Sequence, residues 1–233
     1  MSTLNKLTSI KRSSLHEELT DRLRDMIIEG VLEAGQKVPE RELCERLGVS
    51  RTPMREALKV LAADGLLTLQ PNRGARVRAI TLDELEDVFP LMGALEALAG
   101  ELACKNITSK QLQSVRKSHK AMLNCFESAD MPGYFRYNQK IHEAILDAAG
   151  NQTLTDTYRS LAVRVRRARY LANMSQERWQ AAVEEHEKIL EALDAKNGKE
   201  LSSILKTHLE NKFDTVRQWI LSQQEATSNQ GSA

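Results

Sequence analysis

GVSRTPMREALKVLAADGLLTLQPNRGARV, from Gly48 to Val77, decides the fold. It opens on a glycine that closes a preceding short helix and on Ser50, an N-cap residue. Arg51 and Arg55 follow one helical turn apart, so they share a face. Pro53 falls in the first turn, where its missing NH costs nothing. Ala57, Leu58 and Leu61 mark the opposite, buried face. Asp64-Gly65 ends the helix. Leu67 and Leu69 alternate, Pro71-Asn72-Arg73-Gly74 turns the chain, and Ala75, Val77 and Ala79 alternate again, which predicts a β-hairpin with a basic tip.

Working back from Gly48, a short helix starts near Pro39 and buries Leu43 and Leu47. Before it, Ser14-Leu-His-Glu17 reads as a capping box. Leu19, Leu23, Met26 and Ile27 continue that helix at helical spacing until Gly30. Two helices joined by a tight turn, the second led by arginines, match helix-turn-helix geometry. In that geometry the N-terminal residues of the second helix reach base edges in the major groove. An arginine fork meets guanine O6 and N7 together. The hairpin then reads as a wing: Arg73 faces the minor groove or a phosphate, and Gly74 lets the backbone come close.

Charge balance alone does not point to DNA. The 233-residue chain has a formal net charge of +1. Residues 1–80 hold 14 basic and 11 acidic side chains, a slight excess. Position therefore carries the nucleic-acid argument. Aromatic content of 4% favours helical cores over a β-sandwich. LMGALEALAGELAC, the longest apolar candidate, is broken by Glu96 and Glu101 and cannot span a bilayer. The N-terminus lacks a signal-peptide core. These features predict a cytoplasmic protein with no membrane partner. Cys44, Cys104 and Cys125 fit neither a disulfide frame nor a zinc motif and read as buried thiols.

Downstream of the hairpin everything reads as helix. Thr81-Leu-Asp-Glu84 is a capping box that opens a helix to about residue 104, with Pro90 as a candidate kink. No Gly/Ser linker precedes it, so the second domain is expected to be closely coupled to the first. Thr108-Ser-Lys-Gln111 caps the next helix, to about 128. Four more follow at about 132–149, 153–171, 176–194 and 198–222. The expected fold is therefore mainly α. A winged helix-turn-helix (1–80, with 1–12 disordered) precedes an all-α six-helix bundle (81–222) and a disordered tail (223–233).

His142, His186 and His208 each lie on the inward flank of a different helix, and Asn138 shares a face with His142. Three imidazoles and an oxygen ligand from facing helices suit a divalent metal. From spacing alone the preferred reading is three satisfied polar residues at the core edge. Arg164 borders the stripe Leu154, Tyr158, Leu161, Val165 and is a candidate for pairing with a carboxylate; a structural salt bridge is the alternative. Arg166, Arg167 and Arg169 read as a solvated face. His16 and His119 read as exposed, and Trp179 and Trp219 as packing residues.

VPERELCERLGVSRTPMREALKVLAADGLLTLQPNRGARV resembles the winged helix-turn-helix of the GntR family of bacterial transcription regulators. The resemblance implies operator contacts from Arg41, Ser50, Arg51, Thr52, Arg55 and Gly74, with Arg73 at the variable wing tip. NQKIHEAILDAAGN, EEHEKILEAL and LKTHLE resemble the FCD sensor domain of the FadR subgroup, in its shorter VanR-like branch. This implies a homodimer on a palindromic double-stranded DNA operator. It also implies a metal (zinc, nickel or manganese) on Asn138, His142, His186 and His208, with a small-molecule effector, often a carboxylate, beside it.

Two residues depart from that pattern. The usual aspartate is Asn138, which brings no negative charge. The usual inward arginine before Leu95-Glu96 is Met92, so an anion anchor is missing and a smaller or less acidic effector is expected. The leading reading is a metabolite-controlled DNA-binding regulator, a repressor being the commoner outcome. The alternatives are a regulator with a vestigial, metal-free pocket and, more remotely, a metal-dependent enzyme. The enzyme reading lacks an acid-base partner, since Glu185 and Glu187 flank His186 and are expected to point away from its face.

Overall fold

The computed structural model describes residues 13–172 and 176–230, with side chains described for 15–170 and 178–222. The chain divides into two compact units, Met1–Ala79 and Ile80–Ala233. The expected disorder of residues 1–12 lies outside the described residues.

The first unit holds α1 (Ser13–Ile28), α2 (Glu40–Leu47), α3 (Arg51–Ala63), β1 (Leu67–Gln70) and β2 (Gly74–Val77). Ser14 sits inside α1, which begins two residues earlier than a Ser14 cap would require. Gly48 closes α2 in the left-handed region at φ 65°, where its lack of a Cβ removes the penalty. Ser50 then takes the extended N-cap conformation ahead of α3, without a side-chain capping bond. Met54, Ala57, Leu58 and Leu61 bury the inner face of α3 against Leu19, Leu23 and Ile27 of α1.

The strands pair antiparallel with Leu67 opposite Val77 and Gln70 opposite Gly74. The turn is thus three residues, with Asn72 at φ 59° and Gly74 at φ 85°. One feature was not legible in the alternation. The segment before α2 lies along the outer edge of β2, where Val38 NH donates to Ala75 O and Val77 NH to Gln36 O, each at 2.9 Å. Alternation also overstates burial: Leu69 is 46% exposed and Ala79 is exposed, because only one face of this small hairpin has a core to cover it. Leu47 is half-buried.

The second unit holds α4 (Leu82–Asn106), α5 (Ser109–Glu127), α6 (Met131–Ala149), α7 (Gln152–Ala172), α8 (Gln176–Asp194) and α9 (Gly198–Gln230). Both capping boxes form as expected, at Thr81/Glu84 and Thr108/Gln111. Pro90 is carried inside α4 without ending it. Helix α9 continues to Gln230, so residues 223–230 are helical backbone rather than the expected disordered tail. Their sequence, QQEATSNQ, lacks an apolar stripe, which is why periodicity stopped earlier; it also lacks Pro or Gly to stop a helix already nucleated.

α4 is the central element and packs on α9, α6 and α7. Gly93 and Gly100 lie on its α9 side. A Cβ at Gly100 would come within 2.8 Å of Leu205 and 3.0 Å of Leu201, so glycine permits the close approach of the two helices. Around α4 lie the core residues Leu85, Phe89, Met92, Ile141, Tyr158 and Leu205. Of the cysteines, Cys104 is buried, whereas Cys44 and Cys125 are only half-buried, so the expectation of three buried thiols holds for one.

Candidate functional site

The first unit exposes Arg41, Ser50, Arg51, Thr52, Arg55 and Arg73, while Gly74 is half-buried. Helix α3 achieves this because Met54, Ala57 and Leu58 occupy its inner face, leaving Arg51 and Arg55 on the outer one. Arg41 pairs with Glu45 at 3.1 Å and Lys59 with Glu56 at 2.8 Å. Arg51, Arg55 and Arg73 have no ion-pair partner among the described residues and are free for an external anion. Arg41, Arg55, Lys59 and Arg73 line one open cleft between α2, α3 and the wing, of about 1110 Å³.

The second unit encloses the other candidate site. His142 on α6, His186 on α8 and His208 on α9 are each 1–2% exposed. Their ring centroids are 4.8–5.3 Å apart. One ligand atom from each lies within 4.8 Å of the others. Each Nδ1 faces an acceptor. His186 Nδ1 is 2.7 Å from Ala182 O, and a carbonyl can only accept, so Nδ1 carries the proton. His208 Nδ1 donates to Glu185 Oε2. His142 Nδ1 lies 3.1 Å from Glu96 Oε2.

All three Nε2 atoms are buried without a hydrogen-bond partner, and so is Asn138 Oδ1. Asn138 is 2% exposed and stands four residues before His142 on α6. Burial pushes the His186 and His208 imidazoles well below their ordinary range, and it lowers His142 against the pull of Glu96. Neutral rings with Nδ1 protonated leave Nε2 of His186 and His208 a free lone pair, and the His142 ring, with neither nitrogen hydrogen-bonded, can present one too. A donor set of that kind, with carboxylates and a carbonyl behind it, suits a divalent cation.

Several neighbours depart from the sequence expectation. Arg164 is exposed and does not enter the bundle. It is Arg169, expected on a solvated face, that turns inward and is 2% exposed. Tyr158, Val165 and Arg169 recur at seven- and four-residue spacing and form the buried stripe of α7, whereas Arg164 falls to one side of it. That stripe was present in the sequence, but a charged residue is usually assigned outward. Lys212 on α9, one turn after His208, is also buried, at 3%. Met92 lies fully buried in the core.

Glu96 on α4 is 2% exposed and accepts a hydrogen bond from the Tyr158 hydroxyl. Burial alone would push its carboxyl up; His142, Arg169 and Lys212 together bring it below the ordinary range. Glu185, expected to point away, faces inward. It accepts from His208, from both terminal nitrogens of Arg178 at 2.9 and 3.0 Å, and from Asn211 at 2.9 Å. His119, expected to be exposed, is 7% exposed with an unpartnered Nε2, because it shares the buried face of α5 with Val115 and Met122. Trp179 packs edge-on against Phe126 and Tyr134, as a packing residue should.

An arginine-led recognition helix with a wing, followed by a helical bundle enclosing a polar centre, defines a DNA-binding regulator with a sensor domain. The chain belongs to the gntR family of bacterial regulatory proteins, whose model matches residues 15–77, and carries an FCD domain over residues 87–211. It is 33% identical to the probable D-xylose utilization operon transcriptional repressor of Paenarthrobacter nicotinovorans, over 80% of this chain and 81% of that one. It is 25% identical to the transcriptional repressor RspR of Escherichia coli K12, over 88% and 90% of the two chains. The fold is shared with E. coli McbR/YncC at a TM-score of 0.80 and 23% identity, covering 89% of this chain and 99% of that one. A GntR-type regulator from Rhodococcus sp. RHA1 superposes at 0.74 with 24% identity, over 88% and 98%. These relatives are regulators, not enzymes, and the chain is a transcription regulator. No described helix is long and apolar enough to cross a membrane.

Proposed function

We propose that the chain is a cytoplasmic repressor whose operator affinity is set by a small organic acid bound at a metal inside the helical bundle. The observation that supports this reading is the convergence of three buried, unpartnered imidazole Nε2 atoms, with the Nδ1 atoms of His186 and His208 hydrogen-bonded to acceptors and that of His142 3.1 Å from Glu96 Oε2. His142, His186, His208 and Asn138 are the residues that would hold the ion. When bound, such an ion offers a coordination position to an acid's oxygen. Glu185 and the Ala182 carbonyl orient His208 and His186, and Glu96 faces His142, so ligand direction is fixed before any ion arrives.

At the other unit, Arg51 and Arg55 reach base edges, Ser50, Thr52 and Arg41 hold phosphates, and Arg73 and Gly74 place the wing against the backbone. Two copies of the chain on a palindromic operator would set two such heads about one helical turn apart. Effector binding changes operator affinity through the differential stability of the two states of this dimer.

Metal analysis of protein purified without a polyhistidine tag, beside His186→Ala, tests the reading. The expected result is near-stoichiometric metal in the wild type and its loss in the variant. Absence of metal in both, after reloading with zinc, nickel or manganese, overturns it. Asn138 favours a second reading, a metal-free polar pocket, because an amide brings no charge to the donor set. That reading predicts effector-dependent operator binding in protein treated with a chelator.

A further inference from the structure

The buried centre contains more hydrogen-bond donors than the protein's own acceptors use. Arg169 is 2% exposed; it stands beside the Tyr158 hydroxyl, but none of Nε, Nη1 and Nη2 makes a well-formed hydrogen bond. Lys212 is 3% exposed, and its Nζ is equally unpartnered. Neither group is peripheral. Each acts electrostatically on Glu96 and on His142, and Arg169 acts on Lys212. Neither nearby carboxylate hydrogen-bonds either group: Glu96 takes the Tyr158 hydroxyl on Oε1 while its Oε2, 3.1 Å from His142, makes no hydrogen bond, and Glu185 is filled by His208, Arg178 and Asn211. A guanidinium cannot shed its charge, and an unmet buried donor costs the full desolvation of that group.

We infer that Arg169 and Lys212 form an anion subsite that holds a second acidic group of the effector, which is therefore a dianion such as a dicarboxylate or a phosphorylated acid. The inference rests on the bundle being the sensor, but not on a metal. One end of such a ligand meets the histidine cluster; the other lies in the Arg169 fork, with Lys212 donating to the same oxygens. The subsite also answers the loss at Met92. The cation that the resemblance places on α4 is absent, and a guanidinium from α7 and an amine from α9 stand in the bundle instead. The effector need not be less acidic than those of relatives, as Met92 alone suggested.

The test uses the full chain, with malonate, succinate and inorganic phosphate as probes and acetate and butyrate as single-charge controls, at constant ionic strength. Thermal shift and titration calorimetry are read on the wild type, Lys212→Met and Arg169→Met, with circular dichroism verifying that each is folded. The expected result is saturable stabilisation by at least one dianion, preferred over the monoanions, and weakened about tenfold or more in Lys212→Met. Lys212→Met removes a buried amine without opening a cavity, so it keeps the test alive should Arg169→Met not fold. The proposal is overturned if no dianion stabilises the wild type at tens of millimolar, or if wild type and variant respond alike. Persistence of the response after chelation, with no metal found in any preparation, would sink the metal centre alone and leave this subsite standing.

Discussion

Glu96 Oε2 lies 3.1 Å from Nδ1 of His142, with both side chains 2% exposed, and Glu96 also accepts the Tyr158 hydroxyl. It is therefore the buried anion that compensates Arg169 and Lys212. Glu96→Gln keeps the shape and an acceptor for Tyr158 but removes a buried counter-charge of Arg169 and leaves Lys212 only the more distant Glu185. The expected cost is about 3–5 kcal/mol, as for breaking a buried ion pair. Tyr158→Phe should cost only about 1 kcal/mol. Both tryptophans, Trp179 and Trp219, lie in the helical unit, so urea unfolding followed by fluorescence reports that unit. Equal losses in the two variants would contradict the charge argument.

Gly100 and Gly93 face the same helix with different clearances. Gly100→Val should cost about 1–3 kcal/mol, since its Cβ meets Leu205 at 2.8 Å inside a packed core. Gly93→Ala meets its nearest atom, on Leu209, at 3.7 Å, an ordinary contact. It should be neutral or stabilise by up to about 1 kcal/mol through lower backbone entropy in the unfolded chain. The same fluorescence transition ranks them, and a reversed order would mean the α4–α9 spacing differs.

On the DNA side, Arg51 is exposed, unpaired and at the first position of α3. Arg51→Ala should lose about 1–3 kcal/mol on the operator and much less on random DNA. Anisotropy titrations at one fixed salt concentration make the comparison. Equal losses on both would assign Arg51 to phosphates instead of bases.

At the wing, Gly74 has φ 85° and a Cβ there would lie 2.7 Å from Glu40 Oε1. That oxygen tips a flexible chain and can move, so the backbone conformation decides. Gly74→Ala should destabilise the hairpin by about 1–2 kcal/mol, and Gly74→Asn by less, since asparagine tolerates the left-handed region. Faster hydrogen exchange at the Val77 amide, which donates to Gln36 O at 2.9 Å, is the readout. Unchanged exchange in both variants would show that the wing does not depend on this residue.

Much of this fold was legible in the chain. Thr81 and Thr108 announce their helices because a capping box is completed within four residues. The inner face of α3 follows from Ala57, Leu58 and Leu61 because helical periodicity is local. The three histidines could be placed on inward flanks for the same reason. Less legible were residues whose orientation breaks the rule that charge faces water. Periodicity favours Arg164 over Arg169 and places Glu185 and His119 outward, because no local pattern tells a buried charge from a solvated one.

The sequence by itself determined the winged helix-turn-helix, the order of the bundle helices and about where each begins, and the three helices that bear His142, His186 and His208. Each of these depends on neighbours a few residues away. Only the tertiary structure decided that the Nε2 atoms converge, that Glu96 and Glu185 stand behind His142 and His208, and that Arg169 and Lys212 enter the same centre. A buried charge is tolerable only where partners from distant segments surround it. Those partners come from α4, α6, α7, α8 and α9, brought together by packing that no local periodicity encodes.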